Sequence, residues 1–242
     1  MVATQLIKQL LQFPAEWKIS EVNFKETEQE VHLYIKYKSS KGVCKQTGEV
    51  CAIYDYRSER SWRHLDVLGY HSYLHCKVPR VKNSFGEVVS VPLPWAEDDE
   101  RHTKKFEDYA IKVLKATHNQ TKAGVLLGVS YEKINRVMCN SVERGLQKRQ
   151  LDKEDIATIN MDEKSYKKGH NYATIISDSK GSRILEVGKD RTQAATEELL
   201  DKTFTKPQLQ NMKAVCVDMW DPFMAAVKKN ALLLGLYTTN FM

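Results

Sequence analysis

Ile156-Ala-Thr-Ile-Asn-Met-Asp162 and Met212-Lys-Ala-Val-Cys-Val-Asp218 are the two stretches on which the fold of this 242-residue chain turns. Each is a short, mostly apolar run that stops at an aspartate, the pattern of a buried strand leading to a loop. Between them, Tyr172–Ser177 and Arg183–Val187 read as two further strands. The turn Asp178-Ser-Lys-Gly-Ser182 joins these two and has hairpin length. A helix follows over about Thr192 to Lys202. After the second aspartate, Asp221-Pro222 reads as an N-cap with proline at the first helical position, and Phe223 to Lys229 continues that helix. The order β-β-β-α-β-α predicts an α/β sheet. If the first and fourth strands are neighbours, Asp162 and Asp218 lie together at one sheet edge. Two carboxylates side by side suit a hard divalent cation such as Mg²⁺, and a pair of such ions can drive phosphodiester cleavage. The plainer reading of each aspartate is a solvated turn residue.

Upstream, the charge is unevenly spread. Residues 1–100 carry net −1, residues 101–150 net +7, and residues 151–242 net 0, so one fifty-residue stretch holds the whole excess of +6. A localised basic segment is the electrostatic footprint of a phosphate-binding surface, although a solvated basic helix face would look the same. Its pattern is helical. Phe106, Ala110, Val113 and Leu114 form one apolar face; a second helix runs from about Thr121 to Leu127; Gly128 supplies a turn. Ser130 then caps a third helix carrying Ile134, Val137, Met138, Val142 and Leu146. That is the spacing of a helix-turn-helix, with a purely structural trihelical unit as the alternative. Tyr131, Glu132, Lys133, Asn135 and Arg136 would be exposed early in the third helix, where Asn135 and Arg136 suit base edges. Lys122, Arg144, Lys148 and Arg149 suit phosphates.

The first hundred residues are less explicit. Leu6, Ile7, Leu10 and Leu11 predict a short amphipathic helix ended by Phe13-Pro14. Val31, Leu33, Ile35 and Tyr37 alternate with polar residues and predict a half-buried strand in an antiparallel sheet. Residues 41–97 read as a small β module, in which Val91-Pro-Leu-Pro-Trp95 and the acidic run Glu97–Glu100 form an extended connector. No apolar run approaches the 20 or so residues of a spanning helix, and the first residues lack the pattern of a signal peptide. Five cysteines at irregular spacing then read as reduced thiols of a cytoplasmic protein. Cys44 and Cys51 are seven positions apart, a poor zinc spacing. Cys76 reads as core, and His64, His71 and His75 as ordinary hydrogen-bonding histidines.

These phrases resemble the bacterial insertion-sequence transposases of the ISL-three class over about residues 30–230. The resemblance is carried by Tyr54-Asp-Tyr-Arg57, Arg60-Ser-Trp-Arg-His-Leu-Asp66, Val78-Pro-Arg-Val-Lys82 and Asn119-Gln-Thr-Lys-Ala123. It continues in Met161-Asp-Glu-Lys-Ser-Tyr-Lys-Lys-Gly-His-Asn-Tyr172 and Val217-Asp-Met-Trp-Asp-Pro-Phe223. It implies an α+β multidomain chain with three parts. These are a zinc-ribbon-like β module over 1–97, a helix-turn-helix over 98–150, and an RNase H-like domain over 151–242 bearing an Asp-Asp-Glu triad for two Mg²⁺. Matched position by position, Asp162 is the first acid and Asp218 the second. It implies duplex DNA at insertion-sequence ends as partner, self-association, and no membrane.

Two departures qualify it. Thr47 stands where the family has a second cysteine, and Asn83-Ser-Phe-Gly86 contains no soft ligand, so Cys44 and Cys51 are expected to be the remnant of a lost Zn²⁺ site. After Ala231 the family continues to a third acid, a glutamate, whereas this chain reads Leu232 to Met242. Glu163, adjacent to Asp162, would point to the opposite strand face. The expectation is a truncated, catalytically incomplete transposase with an incomplete sheet. The alternative is a non-catalytic DNA-binding protein that competes with intact transposase for element ends.

Overall fold

The computed structural model describes residues 11–167, 171–181, 183–218 and 220–230, together with the backbone of 235–238. Most of the predicted opening helix falls outside these residues; Leu11 is described and is buried. The chain divides into two compact units, Met1–Leu146 and Gln147–Met242. Among the described residues it is a mixed α/β chain with two sheets and six α-helices. None of those helices is long and apolar enough to cross a membrane.

The first unit contains β1 (Trp17–Lys25), β2 (Glu30–Tyr37), β3 (Lys41–Val43), β4 (Val50–Val67), β5 (Tyr70–Lys82) and β6 (Val88–Ser90). They form one sheet in the order β1-β2-β5-β4-β3, with β6 on β5. The alternation seen at 31–37 is the β2 core face: Val31, Leu33 and Ile35 are buried. The antiparallel expectation holds on only one side. β2 is antiparallel to β1 but parallel to β5, because β3 and β4 form the return crossover that parallel neighbours require. β1 was not legible in the sequence. Its register shifts between Ile19 and Glu21, and this irregularity breaks the period of two.

The extended connector expected over 91–100 contributes to the core at its start. Val91, Leu93 and Trp95 are buried, while Pro92 and Pro94 between them face outward, where a missing N–H costs nothing. The Trp95 ring lies 4.9 Å from Trp17, 5.7 Å from Trp62 and 5.0 Å from Phe13. These rings close the core of the sheet, and aromatic groups at such separations add favourable contacts beyond area burial.

Three helices complete the unit: α1 (Lys104–Thr117), α2 (Gln120–Leu127) and α3 (Tyr131–Lys148). Thr103 Oγ1 caps α1 by accepting from the Phe106 N–H, and Asn119 caps α2 through the Lys122 N–H. Gly128 ends α2 in the left-handed region with φ +62°, and a Cβ there would lie 2.7 Å from the His71 ring, so glycine is required twice over. Phe106, Ala110, Ala123, Leu127, Ile134 and Val137 form the trihelical core. The predicted apolar face of α3 does not extend along its length. Val142 and Leu146 are exposed, because the 18-residue α3 far outlasts the eight-residue α2.

The second unit contains β7 (Thr158–Lys167), β8 (Asn171–Asp178), β9 (Arg183–Lys189), α4 (Gln193–Thr203), α5 (Lys206–Asn211), β10 (Ala214–Val217), α6 (Asp221–Asn230) and β11 (Gly235–Thr238). The sheet order is β11-β10-β7-β8-β9. β7, β8 and β9 are an antiparallel meander, and β10 and β11 run parallel to β7 and β10 respectively. Ile159, Met161, Ile176, Leu185, Val215, Val217 and Phe223 are among the core residues.

Three features differ from the sequence reading. β7 does not stop at Asp162 but continues to Lys167, because β8 pairs with it throughout. The short α5 was unanticipated; Thr205 and Gln208 form a capping box at its start, and Gln208 Nε2 donates to the Leu151 and Glu154 carbonyls. The tail, for which no element was expected, supplies β11, which extends the sheet that was expected to be incomplete.

Candidate functional site

Asp162 and Asp218 are brought together by strand pairing. β7 and β10 are parallel, with Ala214 opposite Thr158 and Val217 opposite Met161; Asp162 and Asp218 each directly follow this last pair. Neighbouring strands lie roughly 5 Å apart, so the two backbones approach to that distance. Ile159, Met161, Val215 and Val217 point into the core, and the intervening positions turn away from it. Both aspartates are consequently exposed. Asp162 Oδ1 accepts from the Glu163 N–H at 2.8 Å. Two hard oxygen donors at this spacing fit a Mg²⁺ ion in charge and ligand type, with water completing the octahedron.

Glu163 faces the other way, as alternation requires. Its Oε1 takes a 2.7 Å hydrogen bond from Arg191 Nη1, and its Oε2 is buried without a partner. The Arg191 guanidinium lies 3.8 Å from the Tyr172 ring centroid and 4.3 Å from that of Trp220. Trp220 Nε1 donates back to the Arg191 carbonyl at 3.2 Å. Cation–π contacts of this kind are worth about 0.5–2 kcal/mol each. The stack pins the turn after β10, two residues beyond Asp218, to the strand that carries Asp162. The sequence reading quoted Tyr172 and Trp220 within motifs but missed Arg191; an arginine just before a helix N-cap gives no local signal of a stack.

The predicted DNA-contacting residues separate into groups. Lys122, Tyr131, Lys133, Arg136 and Lys148 are exposed, whereas Asn135 and Arg149 are half-buried. Arg144 is turned inward: its Nη2 donates to Glu107 Oε2 at 2.8 Å and to Ser141 at 3.2 Å. Its guanidinium therefore pairs with a buried acid, while the side chain remains 40% exposed. Glu107 also binds His102 Nε2 at 2.8 Å, and Glu100 lies 3.2 Å from the same nitrogen. Burial opposes ionisation of Glu107, but His102 and Arg144 outweigh it and hold its carboxyl below the ordinary range. Asn140 closes the cluster on Glu100 at 2.5 Å. Glu100, His102 and Glu107 are close in sequence, but Asn140 and Arg144 are 40 and 37 positions from their partners, so no local spacing reveals the whole cluster. His64 is buried against Thr103 Oγ1 at 2.8 Å, and burial pushes its pKa down to about 4, with Lys105 and Arg63 adding to the effect.

Cys44 and Asn83 open two similar turns. The Gly48 N–H returns to the Cys44 carbonyl and the Gly86 N–H to the Asn83 carbonyl. Hydrogen bonds from Thr47, and further ones from Gln46 and Asn83, draw the Cys44 thiol below its ordinary pKa. Positions 44, 47 and 83 thus converge, but only Cys44 offers a soft ligand there. Cys51 is half-buried, and burial raises its pKa.

Comparison with known proteins finds similarity to transposases over part of the chain. Residues 159–232 match the ISL3 type of DDE transposases, described as transposase. This match covers both aspartates. A transposase for insertion sequence element IS1557 of Mycobacterium tuberculosis is 27% identical over 143 residues, covering 59% of this chain and 32% of the relative. A transposase for insertion sequence element IS1001 of Bordetella parapertussis is 25% identical over 191 residues, covering 77% of this chain and 45% of the relative. The chain thus spans less than half the length of the relatives it matches.

Proposed function

From the match of residues 159–232 to the ISL3-type transposases, we propose that this chain belongs with the insertion-sequence transposases, binds duplex DNA at element ends and contributes to strand cleavage and joining. The observation that carries the reading is that Asp162 and Asp218 directly follow Met161 and Val217, the last paired residues of the parallel neighbours β7 and β10. The second sheet, in the order β9-β8-β7-β10-β11 from its meander edge, supports the RNase H-like reading. The α2–Gly128–α3 arrangement supports a helix-turn-helix reading of the basic helices, with Lys122, Tyr131, Lys133 and Arg136 accessible.

Asp162 and Asp218 would hold Mg²⁺, and the bound ion would supply charge stabilisation at the scissile phosphate and a more acidic water. The chain's own residues do the positioning. Arg191, through Trp220, fixes the turn that follows Asp218, and Glu163 anchors Arg191. A second reading, DNA binding without cleavage, is favoured by the engagement of Glu163 with Arg191: among the described residues this leaves two carboxylates at the strand ends. Incubating the chain with DNA bearing element ends in Mg²⁺ or Mn²⁺, beside Asp162→Asn, separates the two. Cleavage lost in the variant supports the first; salt-sensitive binding without cleavage supports the second.

A further inference from the structure

Four cationic side chains from three separate segments line one small cavity in the first unit. Arg63 comes from β4, Arg101 precedes α1, and Lys133 and Arg136 lie one turn apart on α3. The cavity measures about 90 Å³, roughly the liquid volume of three waters. It is large enough for one tetrahedral oxyanion. Its floor is apolar, from Phe106, Ile134 and Val137.

The nearby acids are already engaged. Glu107 and Glu100 share His102, and Glu107 also takes Arg144. Asp66 pairs with Arg63 and His71. Glu132 at the start of α3 is turned to its own backbone N–H and to Ser130. Among the described residues, Arg101, Lys133 and Arg136 have no acidic partner within ion-pair distance. Arg63 adds an independent sign. It is 7% exposed and held by the Tyr73 and Phe106 rings at 5.6 and 5.2 Å, yet its buried Nε has no hydrogen-bond partner. A buried donor left unmade costs free energy, and both Nη groups are already taken by His64, Ser72, His71, Leu127 and Asp66. The positive potential extends further. The guanidinium pKa of Arg60 is lowered, first by burial and then by Arg101 and Arg57.

We propose that Arg63, Arg101, Lys133 and Arg136 form a preorganised pocket for a single phosphate group, occupied by a backbone phosphate of bound DNA. The choice of DNA rests on the function proposed above; the pocket itself does not. It reassigns Arg136 from reading bases to gripping the strand, together with Lys133, Arg101 just before α1, and Arg63 from β4. Such a contact fixes the register of α3 on the duplex without reading sequence.

The test uses the full chain, Arg101→Gln, Arg136→Gln and the double variant. All three alter exposed side chains, so folding should persist. Thermal unfolding is followed in inorganic phosphate and in chloride at matched ionic strength, and duplex binding is measured against salt. Phosphate should raise the wild-type midpoint more than chloride does, and each variant should lose the difference. The slope of log affinity against log salt should fall by about 0.9 in each single variant and by the same amount, not twice it, in the double variant, because one phosphate is lost. A phosphate effect no larger than chloride's overturns the pocket. A slope reduced twofold further in the double variant overturns the single-phosphate assignment. A phosphate effect with an unchanged DNA slope overturns DNA as its source. Wild-type protein that binds no duplex overturns both that source and the proposed function, while the phosphate arm still reports on the pocket.

Discussion

Glu107 in the first unit and Asp162 in the second are carboxylates with opposite surroundings. Glu107 is 6% exposed and bonded to His102 and Arg144. Asp162 is exposed at the level where β10 ends, with Asp218 alongside. A buried charge is tolerable only when paired, so the Glu107 cluster serves the fold, and removing one member strands the rest. Two like charges held close together repel one another. They make physical sense as cation ligands. Glu163 sharpens the contrast: one residue from Asp162, it faces the other way and acts as Glu107 does, with Arg191 as its partner.

If this contrast is right, acid should damage the first unit most. The folded pKa of His64 near 4 lies below the ordinary 6.5, so the unfolded chain takes up this proton first as pH falls. Stability from this group is intact above pH 6.5 and is lost between 6.5 and 4, to a total of roughly 3 kcal/mol. Glu107, whose folded value is depressed from 4.5, extends the loss below that pH. Trp17, Trp62 and Trp95 are buried in the first unit, so fluorescence of a Trp220→Phe variant at several pH values reports on this unit alone. His64→Gln should flatten the profile between pH 6.5 and 4.

Next in size is Glu107→Gln. We expect a loss of about 2 kcal/mol, less than for a fully buried pair because the Arg144 side chain is 40% exposed and can turn to water. Denaturant unfolding measures it, and a neutral outcome would break the contrast with Asp162. Arg191→Ala should cost about 1–2 kcal/mol in the second unit through lost stacking and the unpaired Glu163. Arg191→Lys keeps the charge but not the planar stack and should recover only part of that loss, followed by Trp220 emission.

The smallest stability effect should come from Asp162→Asn, a gain of a few tenths of a kcal/mol as repulsion with Asp218 is relieved. The same variant should lose the rise in midpoint that Mn²⁺ gives the wild-type chain. Asp162→Asn destabilising as much as Glu107→Gln would place Asp162 among the structural acids.

The acid pair was legible because each aspartate follows an apolar strand run. β1 was hidden by its shift at Ile19/Glu21, and α5 by its six-residue length. The inward turn of Arg144 and the convergence of Arg63, Arg101, Lys133 and Arg136 had no local signature. An arginine on a helix face reads alike whether its partner is a buried glutamate or a phosphate.

By itself, then, the sequence determined which faces are buried: Val31, Leu33 and Ile35 on β2, Ile159 and Met161 on β7, Phe106 and Ala110 on α1. Periodicity records burial because each side chain's direction follows from its place on its own strand or helix. Only the tertiary structure decided that β2 runs parallel to β5, that Pro92 and Pro94 edge a buried segment, and which carboxylates meet a guanidinium. Those outcomes depend on contacts between residues 20 to 60 or more positions apart, such as Glu107 with Arg144 or Arg63 with the Leu127 carbonyl. Local pattern cannot encode such partners, because desolvation and pairing are settled only when distant segments pack together.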